Sequence, residues 1–136
     1  MFYIFIIFSV PPEISKNPEG LTREEGQNVV FSCVVEGNPS PNVSWTKNGR
    51  GLNVGANSRL NASRESNSHN LTITGVHRSD AGQYRCVANN SVGSSTSSAA
   101  ILEVYCKYRI MINNLKPLQQ QKQRQQVWLF EITLLF

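Results

Sequence analysis

Side chains able to do chemistry are scarce in this sequence, and their spacing narrows what they can do. The cysteines are Cys33, Cys86 and Cys106, and the histidines are His69 and His77. No CxxC pair occurs, and the two histidines lie in separate segments without ligand spacing, which argues against a structural zinc site. Both histidines read as exposed polar residues of a loop or strand. There is no G-x-S-x-G elbow, glycine-rich phosphate loop or pair of catalytic carboxylates, so no enzyme class finds support. The expectation is a chain with no catalytic, cofactor-binding or metal site. One stretch does stand out: D80-A81-G82-Q83-Y84-R85-C86 puts an acid, a small-residue turn and a tyrosine directly ahead of a cysteine.

Those residues need a scaffold, and composition divides the chain into three zones. Residues 1–10, MFYIFIIFSV, form a short apolar leader. It reads either as the remnant of a secretory signal lacking its basic n-region, or as translated non-coding sequence. Residues 11–104 carry regular strand and turn signals. Residues 105–136 read as translated read-through or a truncated piece, and they contain the glutamine-rich run 119–126, which cannot bury apolar surface and is expected to be disordered or a solvated helix. The closing VWLFEITLLF is too short for a membrane span, which takes about 20 apolar residues. Net charge is +4, yet acids and bases cancel between Pro11 and Val104. The excess falls in the tail, where Lys107, Arg109, Lys116, Lys122 and Arg124 face only Glu131. A nucleic-acid partner, which needs clustered positive charge on the folded unit, is therefore disfavoured.

Across the middle zone a period of two recurs, with turn residues between the runs, as expected of an antiparallel sandwich. Val29, Phe31, Cys33 and Val35 share one face of a first strand. Prolines in G37-N38-P39-S40-P41 end it, and N42-V43-S44-W45-T46 follows with Val43 and Trp45 inward. K47-N48-G49-R50 reads as a hairpin turn through Asn-Gly. Weaker strands are expected around Leu60 and over N70-L71-T72-I73-T74. Q83–A88 and A99–V104 complete the set, joined by N89-N90-S91-V92-G93 as a hairpin loop. Cys33 and Cys86 thus face inward from different strands with Trp45 between them, an arrangement able to bridge two sheets, the alternative being two reduced core cysteines. Tyr84 shares the face of Cys86, so its hydroxyl can bond back to nearby backbone. Asp80 can accept N–H bonds in the turn and pair with Arg59.

The constellation Cys33, Trp45, Leu71, Asp80, Tyr84 and Cys86 resembles the immunoglobulin superfamily. P11-P12-E13-I14, E36-G37-N38-P39-S40-P41 and A88-N89-N90-S91-V92-G93 resemble its intermediate, or I-set, class over residues 11–104. The resemblance implies an all-β, two-sheet immunoglobulin-like sandwich with Greek-key connections. It further implies a Cys33–Cys86 disulfide over Trp45 and a tyrosine corner at Tyr84. Trp45 and Cys86 are too close in sequence for the extra strands of a variable domain, so antibody-like recognition is not expected.

Sequons at Asn42, Asn61, Asn70 and Asn89 fall on the solvent-facing phase of strands or in loops, as N-glycosylation demands. With the implied disulfide they point to the secretory route, and to an extracellular or cell-surface protein rather than the intracellular muscle branch. Asn42, Asn70 and Asn89 are expected near one tip. A partner is therefore expected on a sheet face presenting Ser44, Thr46, Gln83, Arg85 and Val87. The function that follows is a non-catalytic protein-binding module, a fragment of an adhesion or receptor protein, with homophilic or heterophilic protein partners. A secreted soluble binder and a piece of a receptor tyrosine kinase ectodomain are the alternatives. No small-molecule substrate is expected, and membrane contact only through other parts of a longer protein. Cys106 lies outside the implied pair and offers an intermolecular bridge if the tail is genuine.

Overall fold

The structure is a computed structural model and describes residues 6–106. The glutamine-rich run, the closing apolar segment and residues 1–5 lie outside the described residues. Alternation sets the layers. In β3 (Val29–Asn38), Val29, Phe31, Cys33 and Val35 are buried while their neighbours point outward. β7 (Ser68–Ile73) matches it with His69, Leu71 and Ile73 inward, pairing Phe31 with Leu71 and Val29 with Ile73. β1 (Val10–Lys16) and β6 (Leu60–Glu65) flank this pair, giving the order β1-β3-β7-β6.

The second layer runs β2 (Leu21–Glu24), β10 (Ala100–Tyr105), β8 (Gly82–Asn89), β4 (Asn42–Lys47) and β5 (Arg50–Gly51). β9 (Ser94–Thr96) also pairs with β8. β2 lies parallel to β10, whereas β4, β9 and β10 run antiparallel to β8. Single 3₁₀ turns occur at Val54–Ala56 and Arg78–Asp80. Trp45, Tyr84, Cys86, Ala88, Ala100 and Leu102 face the first sheet and close the core with Phe31, Leu71 and Ile73.

Four strands escaped the sequence reading, each for a physical reason. β1 contains Pro11 and Pro12, which remove donors and are tolerated because β1 is an edge, and its register slips between Val10 and Glu13. β2 is short and lacks clean alternation, β5 is only the return of a hairpin, and β9 has no apolar residue. The segment after Asn89 therefore leads into β9, not straight to the last strand as expected. Between the pairs Val87–Thr96 and Tyr84–Ala100, the residues Ser97, Ser98 and Ala99 face only Arg85 and Cys86, a bulge. The Asn-Gly hairpin is as read: Asn48 (φ 50°) and Gly49 (φ 80°) both take left-handed backbone between β4 and β5.

Candidate functional site

A disulfide joins Cys33 on β3 to Cys86 on β8 across the layers, with Cα atoms 6.7 Å apart and 53 positions between them in sequence. Trp45 stands opposite Cys86 in the β4–β8 register, buried beside the bond. The Phe31 ring lies 6.3 Å from the indole and stacks on Tyr84 at 4.8 Å. Closing a loop of this length stabilises the fold by about 4 kcal/mol in the chain-entropy account. Leu71, fully buried, completes the packing from β7.

Hydrogen bonds tie the stretch from Asp80 to Cys86 to its surroundings. Tyr84 Oη donates to the Asp80 carbonyl at 2.6 Å. Arg59 Nη1 and Nη2 donate to the two Asp80 carboxylate oxygens at 2.8 and 3.3 Å, and Arg59 also reaches the Gly75 carbonyl. The His77 N–H donates to the same carboxylate. Burial pulls the Asp80 carboxyl upward, but Arg59, the His77 N–H and the charge of Lys47 outweigh it and hold it below its ordinary value. Burial first, and the Asp80 charge second, push the Tyr84 phenol far above the ordinary tyrosine range. Gly82 takes φ 151°, a conformation that side chains with a Cβ rarely adopt, and a Cβ there would also meet Asn48 Oδ1 at 2.7 Å. That Asn48 oxygen accepts the Gln83 N–H, tying the hairpin turn to the corner. Nothing in this arrangement presents a nucleophile or an acid–base pair to a substrate.

Outward from the same strands lies the second candidate. Ser44 pairs with Val87 and Thr46 with Arg85, so the alternation that buries Trp45 and Cys86 turns all four to solvent along with Gln83. Ser44 and Gln83 are exposed; Thr46, Arg85 and Val87 are half-buried. Arg85 is partly committed, since its Nη1 donates to the Ser97 carbonyl at 2.8 Å. Ile101, 53% exposed, sits opposite Gln83 on β10 and extends this face, a residue the sequence reading did not include.

Sequon geometry departs from expectation in one respect. Asn42 and Asn89 do lie at the end of the sandwich, but they are direct partners in the β4–β8 ladder and share the outward phase of Ser44, Thr46, Gln83, Arg85 and Val87. Glycans on them would cover the upper part of that face as well as the tip, because residues two apart on a strand point the same way. Parity along the two strands was the available signal. Asn61 is exposed on β6. Asn70 is the third residue of β7 and half-buried, its Oδ1 accepting from Ser32 Oγ at 2.6 Å.

His69 corrects the sequence reading outright, for it is 8% exposed and faces inward opposite Cys33. It borders a cleft of about 220 Å³ between the sheets, with Pro41, Val43, Trp45 and Arg64. Arg64 Nη2 crosses to Ser40 Oγ at 2.8 Å. Burial, and secondarily the Arg64 charge, hold the His69 imidazole below its ordinary value. His77 is exposed, within 3.8 Å of Glu25. Two further residues had no sequence signal. Ser97, inside a serine run, is buried and its Oγ accepts the Cys86 N–H at 3.0 Å. Asn90 Nδ2 donates to the Val10 and Pro39 carbonyls while its Oδ1 accepts the Val92 and Gly93 N–H groups. Among the described residues no cluster of three or more His, Cys, Asp or Glu could hold a metal, and no helix is long and apolar enough to cross a membrane.

The immunoglobulin I-set domain model matches residues 12–104. Rat neogenin is 38% identical over 93 residues, covering 68% of this chain and 6% of neogenin. The rat netrin receptor DCC is 37% identical over 93 residues, again 68% of this chain and 6% of the receptor. Among solved structures, the titin M10–obscurin-like 1 Ig mutant complex is similar at a TM-score of 0.67 and 33% identity, covering 72% of this chain and 96% of that one. The chain thus spans well under a tenth of the length of these full-length relatives. It belongs to the immunoglobulin I-set domain family.

Proposed function

We propose that this chain is a non-catalytic, extracellular protein-binding module, one unit of a cell-surface adhesion or receptor protein. The observation that carries this reading is the Cys33–Cys86 bond buried against Trp45. A staple of this kind forms and persists in oxidising compartments. Exposed sequon asparagines at 42, 61 and 89 fit the same route. Similarity to neogenin and to a netrin receptor supports a receptor context, while the titin likeness bears on the sandwich and not on the compartment.

The docking surface is the lower outward face of the larger sheet, where Thr46, Gln83 and Ile101 stand clear of Asn42 and Asn89. Rigid β-sandwich faces of this kind recognise partners through a few central side chains. The full chain, secreted behind a cleavable leader and labelled, is applied to a panel of cell-surface ectodomains, itself included. Ile101→Asp and Thr46→Arg are expected to abolish any binding found, whereas Val30→Asp on the opposite sheet leaves it intact. Loss of binding from Val30→Asp alone would overturn the face assignment. Intact mass showing Cys33 and Cys86 both reduced in the secreted product would overturn the compartment.

A further inference from the structure

Asn42 opens β4 and Asn89 closes β8, and the two are register partners across an antiparallel ladder. Both side chains are exposed and both point outward, since their neighbours Val43 and Ala88 turn inward. Directly opposed residues on one sheet face hold their Cβ atoms about 4.5–5.5 Å apart. An N-acetylglucosamine ring with its acetamido arm is wider than that. Neither strand end can swing away to make room. Asn90, immediately after Asn89, clamps β1, the turn at Pro39 and the turn at Val92 and Gly93 through four hydrogen bonds. Asn89 itself also pairs with Ser94 on β9. The base of β4 is set by Pro41, which is buried.

We propose that Asn42 and Asn89 form a single N-glycan acceptor site, which carries one oligosaccharide on either asparagine and not on both. This rests on the secretory reading above. The transfer is chemically ordinary: Asn Nδ2 attacks the anomeric carbon of a lipid-pyrophosphate-linked oligosaccharide. The C–N bond forms, the bond from that carbon to the pyrophosphate oxygen breaks, the lipid pyrophosphate leaves and the amide proton passes to a base. Asn42 precedes Asn89 in the chain and so reaches the transferase first. Folding then places the occupied Asn42 against Asn89 and closes the second site. The resulting glycan stands on the upper part of the outward face of the larger sheet, which leaves the exposed Gln83 and Ile101 and the half-buried Thr46 uncovered.

The test is the full chain secreted from eukaryotic cells, read by intact mass for glycan number and by peptide mapping after enzymatic deglycosylation in heavy-oxygen water for position. In an Asn70→Gln background, molecules with one oligosaccharide across positions 42 and 89 are expected, most on Asn42. Asn42→Gln is expected to raise occupancy of Asn89 several-fold. Molecules carrying two oligosaccharides across the pair would overturn the proposal, as would unchanged Asn89 occupancy in Asn42→Gln. Oligosaccharide on Asn61 but on neither member of the pair overturns it too, and leaves the secretory reading standing. None on any asparagine takes down both.

Discussion

The two ends of β8 are both locked, but by opposite means. At the start, Tyr84, Asp80 and Arg59 use a phenol and an ion pair whose carboxylate side chain is only 15% exposed. At the finish, the neutral carboxamide of Asn90 makes four hydrogen bonds, one more than the Asp80 carboxylate accepts, in a turn that stays close to water. Burial, and not the number of bonds, decides how much each is worth, because solvent replaces a lost partner at the tip and cannot at the corner. Cys86 sits between the two and serves both.

Removing that shared anchor should have the largest effect. Replacing Cys33 and Cys86 together with alanine is expected to lower stability by about 4 kcal/mol in urea unfolding, with both ends of β8 losing amide-exchange protection together. If only one end loosens, the staple does not couple them. Asp80→Ala comes next, at about 2–3 kcal/mol, because Arg59 and the His77 N–H lose a charged acceptor. Asn90→Ala should cost about 1 kcal/mol despite breaking more bonds. Equal losses from Asp80→Ala and Asn90→Ala would break the comparison.

Acid sharpens the contrast further, with the smallest effect. The depressed imidazole of His69 contributes stability that is full above its unfolded value of about 6.5, and lost as pH falls below it. Arg64 is the charged group facing it across β6, and Trp45, Val43 and Cys33 are the uncharged neighbours on β4 and β3. Asp80, also depressed, contributes stability present above about pH 3.9 and lost below. Thermal melts at pH 7 and pH 5 should therefore show a loss that His69→Gln removes and Asp80→Asn leaves in place. A slope unchanged by His69→Gln would assign it elsewhere.

The corner could be read in advance because each of its residue types answers a backbone demand that few others satisfy. Gly82 must lack a Cβ, Tyr84 must bring a hydroxyl from an inward position, and Asp80 must accept N–H bonds in a turn. The disulfide and the inward faces of β3, β4, β7 and β8 were equally plain, since alternation fixes them. At the tip the signal fails: Asn90 looks like any turn asparagine, and its partners Val10 and Pro39 are distant in sequence. Ser97 is hidden in a run of serines, its position set by a bulge that no local pattern announces. His69 departs from the expectation of an exposed polar residue because parity with Leu71 and Ile73 turns it inward. The same parity, applied to Asn42 and Asn89, would have put the sequons and the candidate face on one side.

The prolines of β1 have a consequence for crowding. Open sheet borders invite a neighbouring chain to add a strand, and this domain has such a border at β1. Successive N–H groups of a strand point to opposite edges, so one of the adjacent Pro11 and Pro12 denies an incoming strand an amide donor there, and the slipped register beside them spoils the spacing it would need. Copies pressed together at high density should thus slide past one another along this border instead of zipping into fibres.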